Sequence, residues 1–220
     1  MLTDLQRRVW HVVGPLPDSE SVALAGGGAL IVLGIVDRAT SDLDFFAASA
    51  SQAERFIPAV EAALAADGLR VDRIQTGPGF ARLRVSDDTN TITIDLSHDY
   101  RRFPTVDGEA GRVLSADELA ADKLLALWGR AAPRDFRDVH ALAQRFSTDE
   151  MYRLAAEKDP GFDIASLADA LGVFDHRHAG EFAMDPEDHR RLRDWVHQWR
   201  YELEQHENQT CSNDGSPQES

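Results

Sequence analysis

Two aspartates separated by one residue lie in an apolar stretch of the chain. Asp42 and Asp44 belong to the segment DLDFF, where their neighbours are leucine and phenylalanine. On a β-strand this spacing places both carboxylates on one face, roughly 6.6 Å apart along the strand. Unpaired carboxylates are costly in apolar surroundings, and a hard cation such as Mg²⁺ accepts such oxygen ligands. The pair therefore predicts a cation site, and a solvated acidic loop that includes Asp37 is the alternative.

A third carboxylate follows in the segment TITIDLS. Its alternation places Thr91, Thr93 and Asp95 on one face of a predicted strand and the apolar residues on the other. Two interpretations remain open. The polar residues are either a solvent-exposed face of the sheet, or Asp95 is a third metal ligand on a strand adjacent to Asp42 and Asp44.

Three consecutive glycines, Gly26, Gly27 and Gly28, separate a predicted strand, SVALAG, from a short apolar helix, ALIVLGIV. The glycines either allow a tight turn or present backbone N–H groups and the positive end of a helix dipole to a phosphate. A phosphate site beside a cation site is what binding of a nucleoside triphosphate requires. The second interpretation therefore gains weight from the aspartate pair.

The C-terminal half contains a second group of charged residues. Lys123 and Arg130 are seven residues apart and share one face of a predicted helix. Arg134 and Asp138, spaced i,i+4, could form only a surface pair worth ~0.5 kcal/mol. Asp135 lies in a first helical turn, where the helix dipole favours an acid in any case. Taken alone, each of these residues has an ordinary structural explanation.

The pattern along the chain predicts an α+β protein with a mixed sheet and a helical C-terminal half. Ser115 and Glu118 form a capping box, and Pro133 suits the first turn of the following helix. We expect an α/β domain over residues 1–112, a helical domain that completes the site over 113–207, and a disordered polar tail over 208–220. The predicted segments are a helix over 1–14, the strands SVALAG, DLDFFAA, LRVDRIQT, FARLRVS and TITIDLS, a hairpin at DDTN, and helices over SQAERFIPAVEAALAADG, LSADELAADKLLALWGR and PRDFRDVHALAQRF.

Composition and charge limit the class of protein. The 220 residues are 43% hydrophobic and include one cysteine, Cys211. No apolar run approaches the ~20 residues that span a bilayer, so we expect a soluble, cytoplasmic protein with no membrane partner. The net charge of −15 argues against a general nucleic-acid-binding surface but allows a local basic patch.

Together, these motifs resemble the polymerase-β-like nucleotidyltransferases, and within them the AbiEii/AbiGii toxin family that includes the MenT toxins. The first matching block is GGGAL followed by DLDFF, with Arg38 and Thr40 just upstream, similar to R-x-[ST]-x-D-[LI]-D-F. The second block, ELAADKLLALWGRAAPRDFRDVHAL, is similar to K-[LI]…R…RD-x-x-D. The resemblance covers roughly residues 20–145.

The resemblance implies the roles of individual residues. Asp42 and Asp44 would bind Mg²⁺ and be catalytic, with Asp95 as a third metal ligand. Gly27 and Gly28 would hold the triphosphate, although many members have Ser or Thr at the position of Gly28. In the second block, Lys123 would contact phosphate, Asp138 would support catalysis, and Arg130 and Arg134 would position the nucleotide or acceptor.

The implied function is Mg²⁺-dependent transfer of NMP from an NTP to an RNA acceptor, with release of pyrophosphate. The acceptor would be the 3′ end of tRNA, and the protein would be the toxin partner of a co-encoded antitoxin. One alternative is transfer to a small molecule such as an aminoglycoside, which the acidic charge favours. Another is a non-catalytic nucleotide-binding module of the same fold.

Overall fold

A computed structural model describes residues 1–17 and 19–213, with side chains described up to residue 205. Within this part of the chain, the fold is α+β, as the sequence predicts. The helices are α1 (Asp4–Val13), α2 (Gly26–Val32), α3 (Ala50–Ala66), α4 (Ala116–Arg130), α5 (Pro133–Leu142), α6 (Thr148–Lys158), α7 (Ile164–Gly172) and α8 (Pro186–Asn213). The strands are β1 (Val22–Ala25), β2 (Asp42–Ala47), β3 (Arg70–Gly77), β4 (Phe80–Ser86), β5 (Thr91–His98), β6 (Thr105–Asp107) and β7 (Arg112–Leu114).

The seven strands form one mixed sheet in the order β3-β4-β5-β2-β1-β7-β6. Strand β2 pairs antiparallel with β1 and parallel with β5, so it lies at the centre of the sheet. Strands β3, β4 and β5 form an antiparallel meander, in which the predicted DDTN hairpin joins β4 to β5. The two aspartates of β2 therefore lie between two neighbouring strands rather than on an edge.

The central strands bury one face of the sheet. In β2, Leu43, Phe45 and Ala47 are buried and alternate with half-buried residues, and β4 and β5 show the same alternation. Helices α1 and α3 pack against the buried face. The alternation of the strands fixes the register of the sheet, because a slip of one residue would turn the apolar set away from these helices.

Several local details differ from the sequence prediction. The glycine triplet forms the first turn of α2, which ends at Val32, before the last residues of the predicted helix. Pro58 lies inside α3, which is continuous, and it is exposed. Strands β6 and β7 were not predicted. Each has three residues, and β7 is held by parallel pairing of Val113 with Leu24 of β1.

The chain forms two compact units, Met1–Leu119 and Ala120–Ser220. The division lies inside α4, whereas the predicted boundary after residue 112 falls inside strand β7. Residues 208–213 of the predicted tail belong to α8, and residues 214–220 lie outside the described residues. None of the helices in the described part of the chain combines the length and apolar composition that a membrane crossing requires.

The second unit has an aromatic core. Tyr152 of α6 stacks on Trp199 of α8, whose indole Nε1 donates a hydrogen bond of 2.5 Å to the Tyr152 hydroxyl. Burial raises the pKa of Tyr152 to about 12, so the hydroxyl stays protonated and keeps its hydrogen-bonding role. Trp195 packs beside Trp199 and His140. These rings are packing residues of a helical core.

A buried carboxylate fixes the start of α4. The N–H of Glu118 donates to Ser115 Oγ at 3.3 Å, which confirms the predicted N-cap. Glu118 is only 1% exposed. Its carboxylate accepts hydrogen bonds from the backbone N–H groups of Arg102, at 3.1 Å, and Phe103, at 2.7 Å. Two backbone donors of the segment before β6 therefore depend on this side chain.

We expect Glu118→Ala to lower the free energy of unfolding by about 2–4 kcal/mol, because the backbone donors would lose a charged acceptor. Its neighbour Asp117 is exposed in the same helical turn, and Asp117→Ala is the matched control, with a loss below about 1 kcal/mol. Urea denaturation followed by circular dichroism measures both. Equal losses in the two variants would contradict this account of Glu118.

Candidate active site

The two predicted metal ligands lie on the half-buried face of β2. Asp42 and Asp44 alternate with the buried Leu43 and Phe45, so both carboxylates are on the face away from α1 and α3. Asp42 Oδ1 accepts a hydrogen bond of 2.8 Å from Thr40 Oγ1. The alternative of a solvated acidic loop is excluded, because both residues belong to a central strand.

The glycine turn lies directly against Asp44. Antiparallel pairing of β1 with β2 places Ala25, the residue before the glycines, opposite Asp44. Gly26 has a positive φ of 57°, and a Cβ built on it would lie 1.9 Å from Asp44 Oδ2. Any side chain at this position would therefore be strained and would also collide with the carboxylate.

The other two glycines face different surroundings. A Cβ on Gly27 would lie 2.9 Å from Thr40 Oγ1 and 3.4 Å from an Arg38 guanidinium nitrogen. Gly27 is therefore part of the polar cluster around Asp42 and Asp44. A Cβ on Gly28 would instead meet Leu43 at 3.0 Å and Leu24 at 3.3 Å.

A side chain at Gly28 would start toward the apolar core, so only its backbone is available to a ligand. Helix α2 has no side-chain cap at Ala25. The first N–H groups of the helix thus donate no hydrogen bond to a capping side chain.

Asp95 lies next to Asp44 but has an arginine partner. Parallel pairing of β2 with β5 places Asp95 opposite Asp44, and β4 places Arg82 opposite Asp95. Arg82 donates from Nε to Asp95 Oδ1 and from Nη2 to Asp95 Oδ2, both at 2.6 Å. These bonds, with the charges of Asp95, Asp42 and Asp44, raise the pKa of Arg82.

The donor set fits a divalent cation at two of the three predicted ligands. Asp42 and Asp44 supply hard oxygen atoms on one face, beside a glycine that leaves room for the Asp44 carboxylate. Asp95 has both oxygens engaged by Arg82. Among residues 1–17 and 19–205, no group of three or more His, Cys, Asp or Glu side chains is arranged to hold a metal.

In the second unit, Lys123 and Asp138 form an ion pair. Lys123 Nζ lies 2.9 Å from Asp138 Oδ2, with the side chains 11% and 0% exposed. The pair joins α4 to α5. Asp138 is therefore not the surface partner of Arg134 that the i,i+4 spacing allowed. Its carboxylate has no exposed surface through which to contact a substrate.

Arg130 also pairs with α5. Its Nε and Nη2 donate to the two oxygens of Asp135 at 2.8 and 2.7 Å, and Asp135 Oδ2 accepts the N–H of Ala132 at 3.2 Å. Asp135 is fully buried and fixes the turn between the helices. Arg130 thus stabilises this turn, and its side chain is half-exposed. Arg134 is exposed, and no ion pair of Arg134 is found within the described residues.

Two residues near the aspartates were not predicted from the sequence. Arg82 comes from β4, and its partner Asp95 is recognisable only when the β4–β5 register is known. Gln6 of α1 is 1% exposed, and its Nε2 donates to the Thr40 carbonyl at 2.8 Å. Gln6 could have been identified from the sequence, because it is a polar residue on the apolar face of an amphipathic helix.

Comparison with solved structures finds the same fold. JHP933 from Helicobacter pylori is 18% identical, with a TM-score of 0.58 over 97% of this chain and 100% of that chain. MenT4, nucleotidyltransferase toxin Rv2826c from Mycobacterium tuberculosis H37Rv, is 17% identical, with a TM-score of 0.52 over 83% of this chain and 71% of that chain. A comparison with curated proteins gives no match.

The sequence also matches a family model described as "Nucleotidyl transferase AbiEii toxin, Type IV TA system" over residues 14–207. This range contains the glycine turn, the aspartate pair and both ion pairs between α4 and α5. The chain therefore belongs to the AbiEii family of nucleotidyltransferase toxins, as the two sequence blocks predicted.

Proposed function

We propose that the protein is a Mg²⁺-dependent nucleotidyltransferase that transfers NMP from an NTP to the 3′ end of tRNA. Membership of the AbiEii toxin family gives the enzyme class and implies a nucleotide substrate and an antitoxin. The metal, the acceptor and a cytoplasmic location are our proposals. The observation that carries the mechanism is the contact of the glycine turn with Asp44, which brings a phosphate-binding element to a carboxylate pair.

Asp42 and Asp44 would hold the metal through their carboxylate oxygens. When bound, Mg²⁺ would neutralise negative charge on the phosphate oxygens. The hydrogen bond from Thr40 fixes one oxygen of Asp42, and the close packing of Gly26 restricts Asp44. The protein would thus contribute a rigid placement of two acids that repel each other in the absence of a cation.

The glycine turn would bind the triphosphate through backbone N–H groups. Gly27 and Gly28 lie in the uncapped first turn of α2, where donors and helix dipole favour an anion. The acceptor hydroxyl would form a bond to the α-phosphorus and lose its proton to solvent, while the bond from the α-phosphorus to the bridging oxygen breaks. Pyrophosphate would leave with that oxygen.

The charge beside the aspartates favours an RNA acceptor over a cationic antibiotic. Arg84 of β4 shares the polar face with Asp42, through the row Arg84–Thr93–Asp42, and it is exposed. Although the chain carries a net charge of −15, this face therefore carries an exposed arginine two strands from Asp42. This arginine would give a polyanionic acceptor a favourable contact and a cationic antibiotic none.

The family resemblance also implies a phosphate contact for Lys123. We propose that Lys123 is the residue that meets phosphate and that Asp138 acts by holding it, because Asp138 is fully buried. An ion pair of this kind restricts the rotamers of a long side chain. The charge of Lys123 would then be presented in one orientation.

We expect Asp44→Asn to abolish nucleotide transfer while leaving the fold intact, because one charged metal ligand is lost from an otherwise isosteric side chain. Purified protein would be incubated with Mg²⁺, total tRNA and each of the four α-labelled NTPs in turn. Label on tRNA with the wild type alone would support the proposal and identify the nucleotide.

The matched control is Asp37→Asn, since Asp37 is fully exposed in the loop before β2. It should transfer at the wild-type rate. Transfer by Asp44→Asn at a similar rate would contradict the proposed site. If aminoglycosides were labelled and tRNA was not, the proposed acceptor would be wrong and the enzyme class would still hold.

We expect Lys123→Met to lose transfer and about 3–5 kcal/mol of unfolding free energy, because the fully buried Asp138 would lose its lysine partner. The double variant Lys123→Met/Asp138→Leu should recover most of that stability but no transfer. The matched control removes another ion pair of the second unit, Lys158–Asp122, whose side chains are 7% and 18% exposed. Chemical denaturation and the tRNA assay provide the two measurements, and transfer by the Lys123 double variant would show that Lys123 is dispensable.

A further inference from the structure

We propose that Arg82 binds the polyphosphate of the nucleotide and that Asp95 positions Arg82, rather than serving as a third metal ligand. This inference rests on the proposed nucleotide site at Asp42 and Asp44. It assigns two residues of the polar sheet face whose roles the aspartate pair and the glycine turn leave open.

The geometry of the Arg82–Asp95 pair leaves one edge of the guanidinium available. Asp95 accepts from Nε and Nη2, both at 2.6 Å, so the fork is held in one plane. Within the described residues, no hydrogen bond or ion pair engages Nη1. The Arg82 side chain is 42% exposed, whereas Asp95 is only 15% exposed. A buried acid therefore anchors a guanidinium whose other edge is accessible.

The position of Arg82 places this edge near the proposed metal ligands. Strand pairing forms a row across the sheet in which Arg82, Asp95 and Asp44 are successive neighbours. The charges of Asp42 and Asp44 contribute to the raised pKa of Arg82, in addition to the larger effect of Asp95. A triphosphate held at the glycine turn beside Asp44 would thus have a fixed cation within the same polar face.

The same contacts argue against metal ligation by Asp95. To bind a cation, its carboxylate would have to share oxygen atoms that each already accept a charge-assisted hydrogen bond. The guanidinium that donates these bonds would be a positive charge next to the incoming metal. Asp42, by contrast, accepts a hydrogen bond from the neutral hydroxyl of Thr40.

The first arm of the test measures nucleotide binding without turnover. The α,β-methylene analogues of ATP, CTP, GTP and UTP would be titrated calorimetrically into full-length protein with Mg²⁺. We expect Arg82→Gln to weaken binding about 10-fold or more, as for the loss of a charge-assisted contact. Asp95→Asn should weaken binding as well, because it frees the guanidinium.

The matched control is Arg73→Gln, which removes an exposed arginine from the same sheet. Arg73 also forms a two-bond pair with a carboxylate, Glu61, with Nε at 2.8 Å from Oε1. The Arg73→Gln variant should bind the nucleotide analogues with the affinity of the wild type. Arg82→Lys, which keeps the charge but not the fork, should bind better than Arg82→Gln, and this partial rescue is not expected from a purely structural role.

The second arm measures Mn²⁺ binding by electron paramagnetic resonance without nucleotide. The double variant Arg82→Gln/Asp95→Asn removes the pair without a change in net charge. We expect it to bind Mn²⁺ within about 3-fold of the wild type, whereas loss of a true ligand should cost about 10-fold or more. Its nucleotide affinity should be no lower than that of Arg82→Gln alone, since the two residues act as one unit.

Three results would overturn the inference. If folded Arg82→Gln bound the analogues as the wild type does, Arg82 would not bind phosphate. If the double variant lost about 10-fold or more of its Mn²⁺ affinity, Asp95 would be a metal ligand. If the wild type bound none of the four analogues, the nucleotide site itself would be rejected together with the inference. Failure of transfer to tRNA, with analogue binding intact, would reject the proposed acceptor alone.

Discussion

The antiparallel register of β1 and β2 is the constraint on which the candidate site depends. It sets Ala25 opposite Asp44, so the chain turns into α2 directly beside the second aspartate. The apolar faces of the strands hold this register, because a one-residue shift would exchange Leu43 with its acidic neighbours. Only glycine satisfies both the left-handed backbone and the contact at position 26. Packing of the core and geometry of the site are thus two consequences of one alignment.

A second theme is that three acids with little exposed surface each form an ion pair with a basic residue. Asp95 has Arg82, Asp135 has Arg130, and Asp138 has Lys123. Each of these acids is at most 15% exposed, and a partner is needed to offset the cost of desolvating a carboxylate. Asp42 differs, since it accepts a hydrogen bond from the neutral hydroxyl of Thr40.

The sequence predicted features that follow from local periodicity. Alternation in DLDFF and TITIDLS placed Asp42, Asp44 and Asp95 correctly on one polar face, and the cap at Ser115 located α4. Features that depend on pairing between distant segments were missed.

The short strands β6 and β7 have almost no local signal, since pairing with β1 stabilises β7 and pairing with β7 stabilises β6. The partners of the charged residues were likewise set by strand register and helix packing, so Asp138 joined Lys123 rather than Arg134. The sequence also could not show that a side chain at Gly28 would point toward Leu24 and Leu43, because that depends on how these residues pack in the fold.

The link from α1 to the aspartates has a consequence for interpreting large-scale mutagenesis. The Thr3 N–H donates to Gln6, Gln6 donates to the Thr40 carbonyl, and the Thr40 hydroxyl donates to Asp42. A survey that scores toxicity would record intolerance at position 6 and, from its burial, assign it to folding. The hydrogen bonds indicate instead that part of this intolerance reflects the orientation of Asp42. Abundance and toxicity scores would therefore diverge at Gln6, unlike at its apolar neighbours on the same helix.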